Sequence, residues 1–171
     1  MNFIASLWDI VWEFLGWFQV CTFIDAWEEG VLLRRGKYVR NVMPGICWHL
    51  PFEIDEIHTM NVKPTAMALD EQVLTTADDI KIVISVVLMW SIFDIKKCII
   101  DVEDAEETLE QIAVGYVHDA VEETIWDEVR TKAFRNELKQ LIQKQARKFG
   151  ISVTTTKIGD LAETKVFRLI Q

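Results

Sequence analysis

Trp27-Glu-Glu-Gly-Val-Leu-Leu-Arg-Arg-Gly-Lys-Tyr-Val-Arg-Asn-Val-Met-Pro-Gly-Ile-Cys-Trp-His-Leu-Pro-Phe-Glu-Ile-Asp55 sets the architecture of this chain. Val31-Leu-Leu reads as a short buried strand, and Arg35-Gly-Lys as a turn that returns the chain. Pro44-Gly45 is a second turn, with Pro suited to its first central position and Gly to a positive φ. Trp48-His-Leu-Pro51 then begins a new extended segment that Pro51 closes. The pattern predicts a meander of short strands lying just beyond an apolar, tryptophan-rich N-terminus.

This ordered series resembles the opening of the SPFH domain, the stomatin/prohibitin/band 7 family. Members begin with a glutamate-glycine pair, a short strand, an arginine and a glycine-lysine turn. A proline-glycine turn, an aromatic-rich strand, a proline and an Ile-Asp follow. Each piece is degenerate alone, and the order over about thirty residues carries the specificity.

Between Met1 and Ile24, seventeen of twenty-four residues are apolar. The exceptions are ordered: Asn2, Ser6, Asp9 and Glu13 fall on one narrow helical stripe that Gly16 continues. Trp8 and Trp12 flank that stripe on one side and Trp17 on the other, which suits a headgroup layer where an indole ring is half wet. The longest charge-free run, Phe14 to Ile24, is eleven residues, short of the roughly twenty needed to span. A signal peptide fits poorly, for lack of a basic start and of a small-residue cleavage site. A full span requires Asp9 and Glu13 to be paired or near the surface, because a mid-bilayer carboxylate costs a few kcal/mol. A monotopic helix over residues 1–24 fits best, with Trp8, Trp12, Phe14, Leu15, Trp17 and Phe18 contacting lipid. The competing reading is an amphipathic helix packed on protein. Stomatins similar to this chain use an N-terminal hairpin with a bending proline; here no proline precedes Pro44.

With 171 residues and half of them apolar, the chain can bury one good core. The expected division is the apolar helix at 1–24, a domain at 25–160, and a short C-terminal helix at 161–171. The formal charge of −9 and pI of about 4.8 disfavour nucleic acid as a partner. No Lys or Arg precedes Arg34, so a basic patch for anionic lipid is missing as well. Cys21, Cys47 and Cys98 form no C-x-x-C, which argues against a disulfide framework or zinc site and for a reducing compartment.

In the body, Ile57–Lys63 reads as a strand ended by Pro64, and Val73–Thr76 as another before an Asp78-Asp79 turn. Ile80–Ile92 is a central strand by its β-branched content and alternation, with Val83, Val87 and Met89 suggesting that both faces are covered. The period then changes to 3.6. Asp104 is the expected N-cap of a helix whose face is Ala105, Leu109, Ile112, Ala113, Tyr116, Val117, Ala120 and Val121. A second helix presents Phe134, Leu138, Leu141, Ile142, Ala146 and Phe149, and Gly150 ends it. Ile151–Ile158 is a last strand. The order predicts an α+β fold with a mainly antiparallel sheet and packed helices, and it resembles the SPFH domain over nearly all of residues 25–160. The family's long coiled coil after the domain is missing, since the chain stops at Gln171, and a closed cage is not expected.

No constellation supports catalysis, and no metal or cofactor is expected. His49, His58 and His118 have no partner spacing. His118 and Asp119, adjacent on a helix, are expected to point apart. Cys47 reads as a small buried residue; Cys21, beside the apolar segment, is a candidate for palmitoylation. The acidic cluster at 101–107 lacks the glycine and ligand alternation of a calcium loop.

One charge pattern stands out. Residues 101–128 hold eleven acidic residues and no Lys or Arg, while 129–171 hold ten basic and three acidic. Two accounts compete: pairing of the two helices within one chain, or contact of Glu106, Glu110 and Glu122 with Lys139, Lys144 and Arg147 of a neighbouring copy. The resemblance implies a non-enzymatic membrane scaffold that self-associates laterally as a ring or array. It also implies organisation of microdomains and regulation of membrane proteins, among them membrane proteases or channels. The alternatives are a soluble adaptor that inserts its N-terminal helix into a partner, or a short regulatory subunit of a larger SPFH assembly.

Overall fold

A computed structural model describes residues 21–52 and 54–164. The chain divides into two compact units, one ending at Val62 and one beginning at Lys63.

The first unit is built of strands β1 (Cys21–Ile24), β2 (Glu28–Arg34), β3 (Lys37–Val42), β4 (Gly45–Trp48) and β5 (Asp55–Asn61). β1 and β4 form an antiparallel ribbon, and β2 lies between β3 and β5 in an antiparallel sheet. The two-residue turn between β2 and β3 has positive φ at both Arg35 (51°) and Gly36 (71°). That is the primed geometry whose twist matches the strands it joins. The glycine of the Glu29-Gly30 pair has a different cause. A Cβ on Gly30 would lie 2.3 Å from the carbonyl oxygen of His58 on β5, so only glycine lets the two strands approach. The core is Ile24, Leu32, Val42 and Cys47, with Ile57 packed against it.

Three sequence expectations shift here. The apolar segment is not helical to residue 24, because Cys21–Ile24 pairs with β4. The strand after Pro44 starts at once, at Gly45, and ends at Trp48, because it pairs with β1 from Gly45 opposite Ile24 to Trp48 opposite Cys21. The next strand begins at Asp55 rather than Ile57, because Asp55 sits opposite Arg34 in the ladder.

The second unit contains β6 (Thr65–Ala68), β7 (Gln72–Thr75), β8 (Lys81–Ile92), α1 (Ile95–Ile100), α2 (Ala105–Glu122), α3 (Trp126–Val129), α4 (Lys132–Ala146) and β9 (Ile151–Glu163). A 3₁₀ turn over Arg147–Phe149 precedes β9. β8 is central: β9 runs antiparallel along one edge, while β6 and β7 share the other, pairing with its second and first halves. Ile82, Ile84, Val86, Leu88, Trp90 and Ile92 are buried on one face of β8. The opposite face is less covered than expected, with Val83 and Val87 half-buried and Met89 42% exposed.

α2 lies against β7 and α4 along β9, and the two helices pack on each other. The Asp104 carboxylate accepts from the N–H groups of Glu106 (2.8 Å) and Glu107 (3.1 Å), the cap that starts α2. α2 buries Ala105, Leu109, Ala113, Val117 and Val121, and α4 buries Phe134, Leu138, Ile142 and Ala146. Each set is a strict i, i+4 row. Gly150 ends the helical run at φ 80°, where a Cβ would also lie 2.3 Å from the Asp94 carbonyl oxygen. The helix expected over 161–171 begins instead as strand. Leu161, Ala162 and Glu163 pair with Ile84, Val83 and Ile82, and residues 165–171 lie outside the described part.

Candidate functional site

The first unit presents an apolar surface that its own core does not use. Strand geometry sends successive side chains to opposite faces. On β4, Cys47 points inward and is 2% exposed, so Ile46 and Trp48 point outward. Phe23 lies directly opposite Ile46, and Cys21 opposite Trp48, so these four share one face of the ribbon. Phe23 is 77% exposed, Ile46 59% and Trp48 67%. The alternation continues past the strand, with Leu50 and Phe52 exposed in turn. Isolated exposed apolar side chains need no explanation; a contiguous aromatic-rich set marks an interaction surface.

The loop carrying Leu50 and Phe52 is tied by one buried carboxylate. Asp55 is 7% exposed. It accepts from Arg34 Nε at 2.7 Å, from Arg34 Nη2 at 3.0 Å and from the Leu50 N–H at 2.8 Å. A bidentate guanidinium on a carboxylate is strong and directional. The Arg34 hydrogen bonds hold the Asp55 carboxyl at about 2; desolvation opposes them, and the Leu50 N–H assists. The Arg35 N–H also donates to the Ile54 carbonyl at 2.9 Å. Phe52 takes a φ of 63°, an uncommon conformation for an aromatic residue. The clamp thus fixes a loop that displays two large apolar side chains.

Cys47 sits beside Arg40, whose Nη2 donates to its Sγ at 3.3 Å. Burial pushes the Cys98 thiol up to about 11, with Asp104 and Asp94 adding to the rise, so it stays protonated near neutral pH. His49 Nε2 lies 3.1 Å from Thr22 Oγ1, on the ribbon. His118 does not point away from Asp119 as expected. It lies 3.7 Å from the Asp119 carboxylate and 3.5 Å from that of Glu122, one turn on. Among the described residues no group of His, Cys, Asp and Glu could hold a metal ion. In the second unit, a depression of about 180 Å³ is lined by Ala66, Val87, Leu88, Met89, Thr155 and Lys157. It is smaller than the roughly 300 Å³ at which ligand clefts begin.

Of the residues selected by sequence, Trp8, Trp12, Phe14, Leu15, Trp17 and Phe18 lie outside the described residues. Among the described residues no helix is long and apolar enough to cross a membrane. Glu106, Glu110 and Glu122 share one row of α2, beside its buried row, at i+4 multiples. Lys139 lies on the corresponding row of α4, Arg147 continues that row just past the helix end, and Lys144 lies one row further out. No ion pair within 4.0 Å joins these two sets among the described residues. The ribbon face escaped the sequence reading. Its signal was the alternation Ile46, Trp48, Leu50, Phe52, which reads equally as a buried strand.

Comparison with known proteins gives a consistent picture. The model of the SPFH domain / Band 7 family matches residues 22–170. The protein HflK of Vibrio cholerae is 30% identical over 141 residues, covering 82% of this chain and 34% of that protein. The modulator of FtsH protease HflK of Escherichia coli is 22% identical over 153 residues, covering 88% and 35%. The stomatin-like protein stl-1 of Caenorhabditis elegans is 28% identical over 145 residues, covering 83% and 44%. The chain thus spans between about a third and a half of the length of these three relatives.

Proposed function

The chain belongs to the SPFH domain / Band 7 family, and from that membership we propose that it is a non-enzymatic membrane scaffold that associates laterally with its own kind. In this reading it organises membrane proteins or regulates them. A protease is the foremost class of client, because one relative is named a modulator of FtsH protease.

The observation that carries the reading is the outward face of the β1–β4 ribbon. Phe23, Ile46 and Trp48 are each more than half exposed, and β1 begins directly after the tryptophan-rich segment ending at residue 20. A lipid surface is the occupant that suits both. Indole and phenyl rings partition well into the interfacial layer, and the apolar segment and β1 are consecutive in the sequence. Attachment in this reading is apolar rather than electrostatic, since the chain carries a net charge of −9.

Flotation of the full chain with phosphatidylcholine vesicles tests this. Co-migration is expected at low salt and equally in 1 M salt, where charge attraction is screened over about 3 Å. Anionic lipid should bring no gain. A chain that stays at the bottom of the gradient, or floats only with anionic lipid at low salt, would contradict the reading.

A further inference from the structure

The second unit carries an acidic helix face and a basic helix face that no ion pair joins among the described residues. α2 holds five carboxylates and no Lys or Arg, whereas residues 132–149 hold six basic residues and one glutamate. The helices touch each other, yet no ion pair within 4.0 Å joins them among the described residues. Their positions explain why. α2 lies against β7 and α4 along β9, and these strands flank β8 on opposite edges. The acidic helix lies toward one edge of the sheet and the basic helix toward the other. Glu106 and Glu122 are exposed on the first, Lys144 and Arg147 on the second.

Gly115 adds an independent observation. It sits in the middle of α2, exposed, and a Cβ there would meet nothing within 4 Å. Glycine is a poor residue inside a helix, and nothing within the unit requires it. It shares an i+4 row with Gln111 and Asp119, next to the row of Glu106, Glu110 and Glu122. A surface approached closely from outside would require a residue without a side chain at this place.

We propose that the acidic α2 face of one copy seats on the basic α4 face of the next, with Gly115 at the point of closest approach. This rests on the lateral self-association proposed above and names its contact. Complementary patches at different places on one molecule make a head-to-tail contact, which closes into a ring or continues as an array. The partner is a second copy of this chain, because both halves of the contact are present on it.

The experiment uses two full-length variants in detergent, sized by mass and checked for cooperative melting. The first is Glu106→Lys, Glu110→Lys and Glu122→Lys; the second is Lys139→Glu, Lys144→Glu and Arg147→Glu. The wild-type chain is expected as many-copy particles and each variant as single copies. An equimolar mixture should regain large particles, because one variant then has two positive faces and the other two negative ones. Rescue between separate chains cannot arise from pairing within one chain. If a reversed variant fails to melt cooperatively, the corresponding Glu→Gln or Lys→Gln set replaces it, and loss of large particles is still required. Gly115→Ala should raise the melting midpoint by a few degrees while weakening assembly, opposite signs that a purely internal role would not give. A wild-type chain that is single-copy, variants that keep large particles, a mixture that stays single-copy, or Gly115→Ala assembling like the wild type would each overturn the contact. Flotation of the same samples keeps the two proposals apart. A chain that floats but never assembles sinks this contact alone; a chain that assembles but does not float sinks the membrane reading.

Discussion

Replacing Phe23, Ile46 and Trp48 together by serine should weaken attachment of the full chain to vesicles without unfolding it. These side chains retain 77%, 59% and 67% of their exposure in the folded chain, so about two-thirds of their apolar transfer is still to be gained in lipid. Full burial of a large apolar side chain is worth about 1.5–3 kcal/mol, so each should contribute about 1–2 kcal/mol and the three about 3–6 kcal/mol. At about 1.4 kcal/mol per tenfold, the lipid partition coefficient should fall by roughly 10²- to 10⁴-fold. The assay is flotation across a lipid titration that stays below saturation, so that contributions from residues 1–20 do not mask the change. Since the substituted positions are exposed, the unfolding free energy should change by no more than about 0.5 kcal/mol per substitution. An unaltered partition coefficient in a folded triple variant would mean that the ribbon face does not enter lipid, and would transfer the whole of any attachment to the segment before β1.

Three further outcomes follow from the packing. Asp55→Asn should release the loop that displays Leu50 and Phe52, seen as faster hydrogen exchange at the Leu50 N–H, which otherwise donates to that carboxylate. Because the folded Asp55 carboxyl is held at about 2 against an ordinary 3.8, its stabilisation is fully present above the ordinary value. It is lost as pH falls through about 2, and the Asn variant should lack that part of the acid transition. Gly30→Ala should push β2 from β5, where the His58 carbonyl leaves 2.3 Å for a Cβ; a loss of about 1–3 kcal/mol in urea unfolding is expected. Leu138→Ala, at a position with 0% exposure, should cost about 2–5 kcal/mol, read as a lower midpoint at an unchanged urea slope.

The parts of the fold that could be read from sequence are those where one local signal dominates. β8 announces itself by strict alternation of buried residues, α2 by the Asp104 cap and its i+4 row, and the end of α4 by Gly150, whose φ of 80° only glycine takes readily. The parts that were missed lack such a signal. β1 follows an apolar run without any change of composition, so nothing local reports where the strand begins. β6 is four residues long with two alanines, weak strand formers whose pairing with β8 is decided at long range. α1 spans only six residues, three of them isoleucine, and owes its start to the Asp94 side chain accepting from Lys97. β9 reaches Glu163 because β8 is long enough to pair with it. At the site, the alternation of Ile46, Trp48, Leu50 and Phe52 was visible, but a pattern of period two does not say which face meets protein. Only the inward turn of Cys47 decides that. The charge asymmetry was likewise plain in the sequence. What it lacked was the absence of ion pairs between α2 and α4, and their attachment to opposite edges of one sheet.

Attachment through the ribbon face places position 46 inside the bilayer, at a depth that a spin label can report. A nitroxide at Ile46→Cys, in a full chain with Cys21→Ser, would be compared with one at Glu123 on the exposed end of α2; Cys47 and Cys98 are buried. On phosphatidylcholine vesicles, the label at 46 should collide readily with oxygen and poorly with a water-soluble nickel chelate, while the label at 123 should show the reverse. A label at 46 that remains as open to the nickel chelate with vesicles as without them would contradict the account.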